Sequence, residues 1–235
     1  MNFNIPRTLP LLSAFVFLYA IAVEAEEVEV EPAPHNHPFW QLYPEGGWTL
    51  YCGEHFTAQS NIVAEPVYSA YWIKRFFSCS SLEECRSKQT FREIENDLHN
   101  LYPALPMIVL ARKDDDYGIV AGEFREYFEC DFEHDGQQHV VEPRPIARGN
   151  IARSLFYMHK NYGLPLKSTQ FNLFMDWHKN DPPSKDEIRR NELIEKLQGN
   201  RNPFIDHPDT AEDLRASVAR SSETQPSNNQ AAAGL

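Results

Sequence analysis

From Ala147 to Gly199 the chain repeats one pattern three times: apolar residues spaced three and four apart, bounded by residues suited to a helix end. Ile151, Leu155, Met158 and Tyr162 form one stripe over Ala147–Tyr162, and Gly163 is placed to stop that helix. Ser168 is a candidate N-cap for a second helix through Phe171, Phe174 and Trp177. Ser184 with Glu187 reads as a capping box before Ile188, Leu193, Ile194 and Leu197, and Gly199 closes that helix. This half can bury its apolar stripes only by packing helices against something else.

The preceding residues supply that something. Gly46-Gly47 marks a turn, and Trp48–Cys52 (WTLYC) has strand composition. Asn61–Ile73 reads as extended, with Pro66 demoting it to an edge or irregular strand because proline lacks a ladder donor. A loop carries Cys79 and Cys85. Phe91, Ile94, Leu98 and Leu101 then predict a helix over Thr90–Leu101, ended by Pro103. Asp114–Gly118 predicts a turn and Glu123–Phe132 a further strand. Strands first and helices last give an α+β chain, and 235 residues suit one domain with tails.

The ends differ in composition. Arg7 precedes an apolar stretch, Leu9–Ala22, with small residues at Ala20, Ala22 and Ala25, so residues 1–25 read as a signal peptide. The run is short for a bilayer span, which needs roughly 20 residues; an uncleaved anchor is the alternative. No later stretch is apolar enough to span, so no membrane span is expected in the mature chain. Residues 26–38 read as a mobile acidic segment, 39–208 as the folded domain and 209–235 as a disordered tail poor in bulky residues. Export permits disulfides, and Cys52, Cys79, Cys85 and Cys130 allow three pairings. A local Cys79–Cys85 bridge is easy and leaves Cys52 with Cys130. No CxxC or paired histidines point to zinc.

The formal net charge is −12, unevenly spread. Residues 144–201 hold 11 Lys/Arg against 6 Asp/Glu, whereas residues 26–143 hold 8 against 22. The acidic balance opposes phosphate at long range, but local basic groups can still face a groove.

Three stretches carry a resemblance. They are Glu45–Gly53 (EGGWTLYCG), Asp97–Ala104 (DLHNLYPA), and the run from Glu142 to Ile205 that contains ARGNIAR and QGNRNPF. In order and wording the chain resembles the bacterial endonuclease I family. That resemblance implies a ββα-metal core beside a helical C-terminal half. It also implies an exported monomer that hydrolyses DNA or RNA with little sequence preference and uses magnesium. In the family a histidine activates water, the Glu before it holds the metal, and an Asn is the second protein ligand.

The chain departs from that pattern at its centre. Against the family's N-I-E-H-V-Y-P-A-S-W stretch, Asn61–Trp72 aligned from the right places Glu65 on the metal ligand and Pro66 on the general base, with Val63 and Ala64 extra. Aligned from the left it places Val63 and Ala64 there, and neither register supplies a histidine. Proline has no titratable group and no side-chain acceptor. The second ligand falls on Val109, which offers no side-chain oxygen, while Arg112 keeps the arginine of the family's N-x-x-R pattern. His99 is the nearest substitute base, although its place in DLHNL suits a structural role. Glu54-His55 lacks the surrounding motif. Arg112, Arg144, Arg148, Arg153 and Arg201 are candidates for phosphate contact, with scaffold pairing as the alternative.

Three functions follow. Hydrolysis is weak or lost and the fold remains; or a rearranged centre holds magnesium on Glu65, with His99 or a metal-bound hydroxide as the base; or the acidic front half binds a basic protein partner.

Overall fold

Phe39 is wholly buried in a short 3-10 turn, Pro38–Leu42. The computed structural model describes residues 36–122, 127 and 129–224. The expected signal peptide and most of the acidic segment after it lie outside those residues.

Strand β1 (Gly47–Trp48) pairs antiparallel with β2 (His55–Phe56), with Gly47 opposite Phe56. The expected strand Trp48–Cys52 therefore ends almost at once. Thr49–Cys52 turns instead, because Arg144 draws the carbonyls of Leu50 and Thr49 inward, and Gly53 takes φ +68°.

Strand β3 (Val63–Pro66) is shorter than the predicted extended segment. Ser69 starts helix α1 (Ala70–Phe77) by accepting from the Trp72 N–H at 3.2 Å. The cysteine loop contains a further helix, α2 (Leu82–Arg86), capped by Ser81 and tied by the Cys79–Cys85 disulfide. Helix α3 (Gln89–Glu95) stops well before Leu101. Asp97 ends the pattern: its Oδ1 accepts from the His99 N–H and its carbonyl from the Asn100 N–H, an Asx-type turn that competes with the helix. Leu101–Ala104 is strand β4, with Pro103 inside it, paired antiparallel with β3 so that Glu65 faces Tyr102. These two strands form their own sheet, so Pro66 occupies an edge as expected.

Helix α4 (Pro106–Arg112) follows directly. The predicted turn at Asp114–Gly118 includes strand β5 (Asp116–Tyr117), parallel to β7 (Val140–Pro143), which pairs antiparallel with β6 (Phe132–Asp135). The strand expected over Glu123–Phe132 begins only at Phe132; residues 123–126 and 128 lie outside the described ones.

Helix α5 (Pro145–Tyr162) ends at Gly163 with φ +66°, and buries Ile151, Ala152, Leu155, Phe156 and Met158 completely. Helix α6 (Ser168–Asn180) packs along it, but Lys167 rather than Ser168 holds the cap position. Helix α7 (Lys185–Gln198) is capped by Ser184 and stopped by Gly199 at φ +88°. Helix α8 (Pro203–Asp206), a 3-10 turn (Pro208–Leu214) and helix α9 (Arg215–Thr224) complete the described chain. The disordered tail expected from residue 209 is thus corrected for 209–224. Ala211, Leu214 and Val218 are buried at helical spacing and hold this segment on the core. No helix among the described residues is long and apolar enough to cross a membrane.

Candidate active site

Alternation along β3 turns Val63 and Glu65 inward, and Glu65 is only 4% exposed. Arg112, the last residue of α4, meets it there. One Nη1–H donates to Glu65 Oε1, and the same nitrogen lies 3.1 Å from the Pro66 carbonyl. Nη2 donates to the Val67 carbonyl at 2.5 Å. The guanidinium lies over the rings of Tyr117 and Trp72, at 4.8 and 5.5 Å from their centroids. Tyr117 donates its hydroxyl to the Val67 carbonyl at 3.2 Å, and Tyr51 Oη lies 2.7 Å from Tyr117 Oη.

The ion pair is buried on both sides. Burial pushes the Glu65 carboxyl up to about 7 against the pull of Arg112. Burial alone would lower Arg112, but Tyr117, Tyr51 and Glu65 outweigh it and raise the guanidinium further. Arg112 Nε is buried without a hydrogen-bond partner.

Pro66 and Val109 flank this pair in sequence, each next to or one helical turn from a partner. Val109 packs its side chain against the hydrophobic core. Neither supplies an oxygen or nitrogen from its side chain. Among the described residues no three His, Cys, Asp or Glu side chains are grouped to hold a metal. A magnesium ion needs an octahedron of oxygens, and here one already paired carboxylate remains. The residues present do not fit the ion that the family pattern implies.

His99 belongs to a different cluster. Its ring lies 4.5 Å from that of Tyr157, and Nε2 is 3.3 Å from the Asn200 carbonyl. A carbonyl only accepts, so the proton sits on Nε2, and Nδ1 is left buried without a partner. Burial drives its pKa down to about 4. The neighbouring Asp97 accepts from Tyr157 and Tyr162 hydroxyls at 2.8 and 2.5 Å and from Gln198 Nε2 at 2.9 Å. Asn100 accepts from the Tyr68 N–H at 2.7 Å and donates to the Tyr68 carbonyl at 3.0 Å, fixing the chain just after β3. DLHNL therefore ties β3 and β4 to α5 and the end of α7. His55 stacks edge-on against Trp48, at 5.1 Å between ring centroids in the β1–β2 hairpin.

The other candidate arginines are engaged with protein groups. Arg144 donates to the Leu50 and Thr49 carbonyls. Arg148 pairs with Glu142 at 2.6 Å and lies over Trp177. Arg153 is buried against Glu187, and Arg201 forks onto Asp206 at 2.8 and 2.6 Å. Sequence reasoning missed the Arg112–Glu65 contact and its Tyr51, Trp72 and Tyr117 surround. The signal was weak: an arginine closing an otherwise apolar segment, PMIVLAR, which must find a buried partner or bend out to water.

Both disulfides are formed, Cys52–Cys130 and Cys79–Cys85. The chain is thus an α+β protein with this disulfide frame, a paired-strand unit leading into α4, and a helical half carrying ARGNIAR and QGNRNPF. The family model for endonuclease I matches residues 41–209, and the chain belongs to the endonuclease I family. It is 37% identical over 123 residues to Endonuclease-1 of Buchnera aphidicola subsp. Acyrthosiphon pisum, covering 52% of this chain and 49% of that protein. It is 37% identical over 125 residues to the Periplasmic deoxyribonuclease of Aeromonas hydrophila, covering 53% of each. Against the Extracellular ribonuclease of Bacillus subtilis it is 34% identical over 140 residues, covering 50% of this chain and 46% of that one. The chain spans about half the length of these relatives.

Proposed function

We propose that this chain is an exported, monomeric endonuclease I-type protein in which phosphodiester hydrolysis is weak or lost, and whose retained fold binds DNA or RNA. The observation that carries the reading is the pairing of Glu65 with Arg112 beside Pro66 and Val109. On this reading β3, β4 and α4 are the ββα unit of the family, and its general base and second metal ligand are gone. Loss of a general base alone typically costs about 10²–10⁴-fold, and loss of a ligand adds to it. His99 does not replace the base, because its protonated nitrogen is turned to Asn200 and its ring is shut in by Tyr157. Export is supported by the apolar leader, the two disulfides, and relatives named as periplasmic and extracellular enzymes. The same names, a deoxyribonuclease and a ribonuclease, support nucleic acid as the ligand class.

The test incubates the oxidised mature chain with plasmid and magnesium, beside Glu65→Ala and the double variant Pro66→His/Val109→Asn. Wild type should leave the plasmid intact, and nicking should appear only in the double variant. Nicking by wild type that disappears in Glu65→Ala means a living, rearranged centre and defeats the proposal. Binding is read by anisotropy of labelled DNA and RNA, with affinity falling steeply as salt rises if Lys/Arg contacts carry it. No salt-dependent binding to either polymer removes the binding half.

A further inference from the structure

A carboxylate that holds a metal in its family must find another counter-charge when the metal is lost, or be neutralised. At Glu65 that counter-charge is in place. Arg112 is fully buried, stays charged at every accessible pH, and is fixed by four contacts besides Glu65: the Pro66 and Val67 carbonyls and the faces of Trp72 and Tyr117. It cannot swing to solvent without abandoning both carbonyls. With Glu65 ionised the pair is neutral as a unit, so an added divalent ion would meet a fixed positive charge and only one carboxylate.

We infer that Glu65 has become a structural residue: Arg112 is its counter-ion among the described residues, and the pair locks β3 to the end of α4 without any divalent cation. The lock replaces the metal as the charge that holds the carboxylate in the interior. It joins residues 47 positions apart, one on the strand and one on the helix of the same unit. It rests on the reading of Glu65 as the family's ligand position, but it concerns stability and cation binding rather than cleavage.

The experiment uses the oxidised mature chain and reads both properties without a nucleic-acid substrate. Manganese, observed by electron paramagnetic resonance, is the probe for binding; thermal unfolding in EDTA is the probe for the lock. Wild type should show no stoichiometric manganese site below millimolar concentration, and its midpoint should be the same in EDTA and in excess magnesium. Glu65→Gln should lower the midpoint in EDTA by on the order of 10 °C, because the guanidinium is left buried and unpaired. Glu65→Gln/Arg112→Met should regain much of that loss, since removing both charges removes the penalty. A one-to-one micromolar manganese site in wild type overturns the inference. So does a Glu65→Gln midpoint unchanged in EDTA. If Glu65→Gln fails to fold, the double variant decides: failure of that variant to fold as well overturns the lock. A cleaving wild type with no manganese site would break the loss-of-hydrolysis reading and leave this one standing.

Discussion

Arg153 on α5 and Glu187 on α7 meet fork to fork in the interior, Nε to Oε1 at 2.6 Å and Nη2 to Oε2 at 2.5 Å, with both side chains essentially inaccessible. This contact joins ARGNIAR on α5 to the Ser184–Glu187 start of α7. Ser184 does cap α7, accepting from the Glu187 N–H at 3.1 Å. The Glu187 side chain does not complete a capping box; it reaches across to Arg153. The remaining Arg153 nitrogen donates to the Asp181 carbonyl at 2.7 Å, so one arginine fixes both the end of α6 and the start of α7. Removing one member of such a pair strands the other, at a cost of about 3–5 kcal/mol. Arg153→Met should therefore lower the unfolding midpoint by on the order of 10 °C. Arg153→Lys should fall between, because it keeps the charge and loses the fork. Equal stability of Arg153→Met and wild type in a thermal melt would show that the contact contributes nothing.

Gly149 sits in the same motif, inside α5, where glycine ordinarily costs about 1 kcal/mol relative to alanine. Propensity thus predicts that Gly149→Ala stabilises. Packing predicts the reverse: an added Cβ would lie 1.9 Å from the Asp181 carbonyl oxygen and 2.8 Å from Arg153 Nη1. The first is a main-chain atom that cannot step aside cheaply. Overpacking of this kind costs about 1–3 kcal/mol or more. Urea unfolding should give a lower midpoint for Gly149→Ala; a higher one means that propensity wins.

How far the sequence reveals this structure depends on how local each signal is. The ends of α5 and α7 were legible because Gly163 and Gly199 act within one turn of their own helices. The helix predicted to reach Leu101 failed because Leu98 and Leu101 keep helical spacing while belonging to a turn and a strand that pack on Phe39 and Leu42 of the first 3-10 turn. The segment after residue 208 hid its spacing of Ala211, Leu214 and Val218 among polar residues. At the candidate site, the departures at Pro66 and Val109 needed only residue identity. The partner of Glu65 did not: nothing within several residues of it names Arg112, and only the pairing of β3 with β4 and the direction of α4 bring the two together.

Acidification should expose His99. Its pKa is about 4 folded, against 6.5 for an unburied histidine. Between those values the unfolded chain binds the proton and the folded chain does not. Stability from this group is therefore full above about pH 6.5, falls as pH drops, and levels off below about 4. By pH 5 the loss is about 2 kcal/mol. His99→Gln cannot titrate, so the stability difference between wild type and this variant should shift against wild type by roughly that amount from pH 7.5 to pH 5. Other groups contribute their own slopes, but equally to both proteins. Parallel stability curves for the two across that range would place the histidine's pKa near its ordinary value.

The two disulfides should differ in weight, and loop length says which is heavier. Cys52 and Cys130 are 78 residues apart, Cys79 and Cys85 only 6. In the chain-entropy picture, the first restricts the unfolded chain by about 4–5 kcal/mol and the second by about 2. Position adds to the difference. Cys52–Cys130 joins the turn after β1 to the segment before β6, and Cys130 is buried in the main core beside Tyr51 and Phe132. Cys79–Cys85 closes a loop that Ser81, Glu84 and Lys88 also hold through their own hydrogen bonds. Paired replacement by alanine should accordingly cost more at Cys52/Cys130 than at Cys79/Cys85, by about 2 kcal/mol in denaturant unfolding. Measured costs in the opposite order would show that strain or residual structure in the unfolded chain, rather than closure of the long loop, sets the contribution of these bridges.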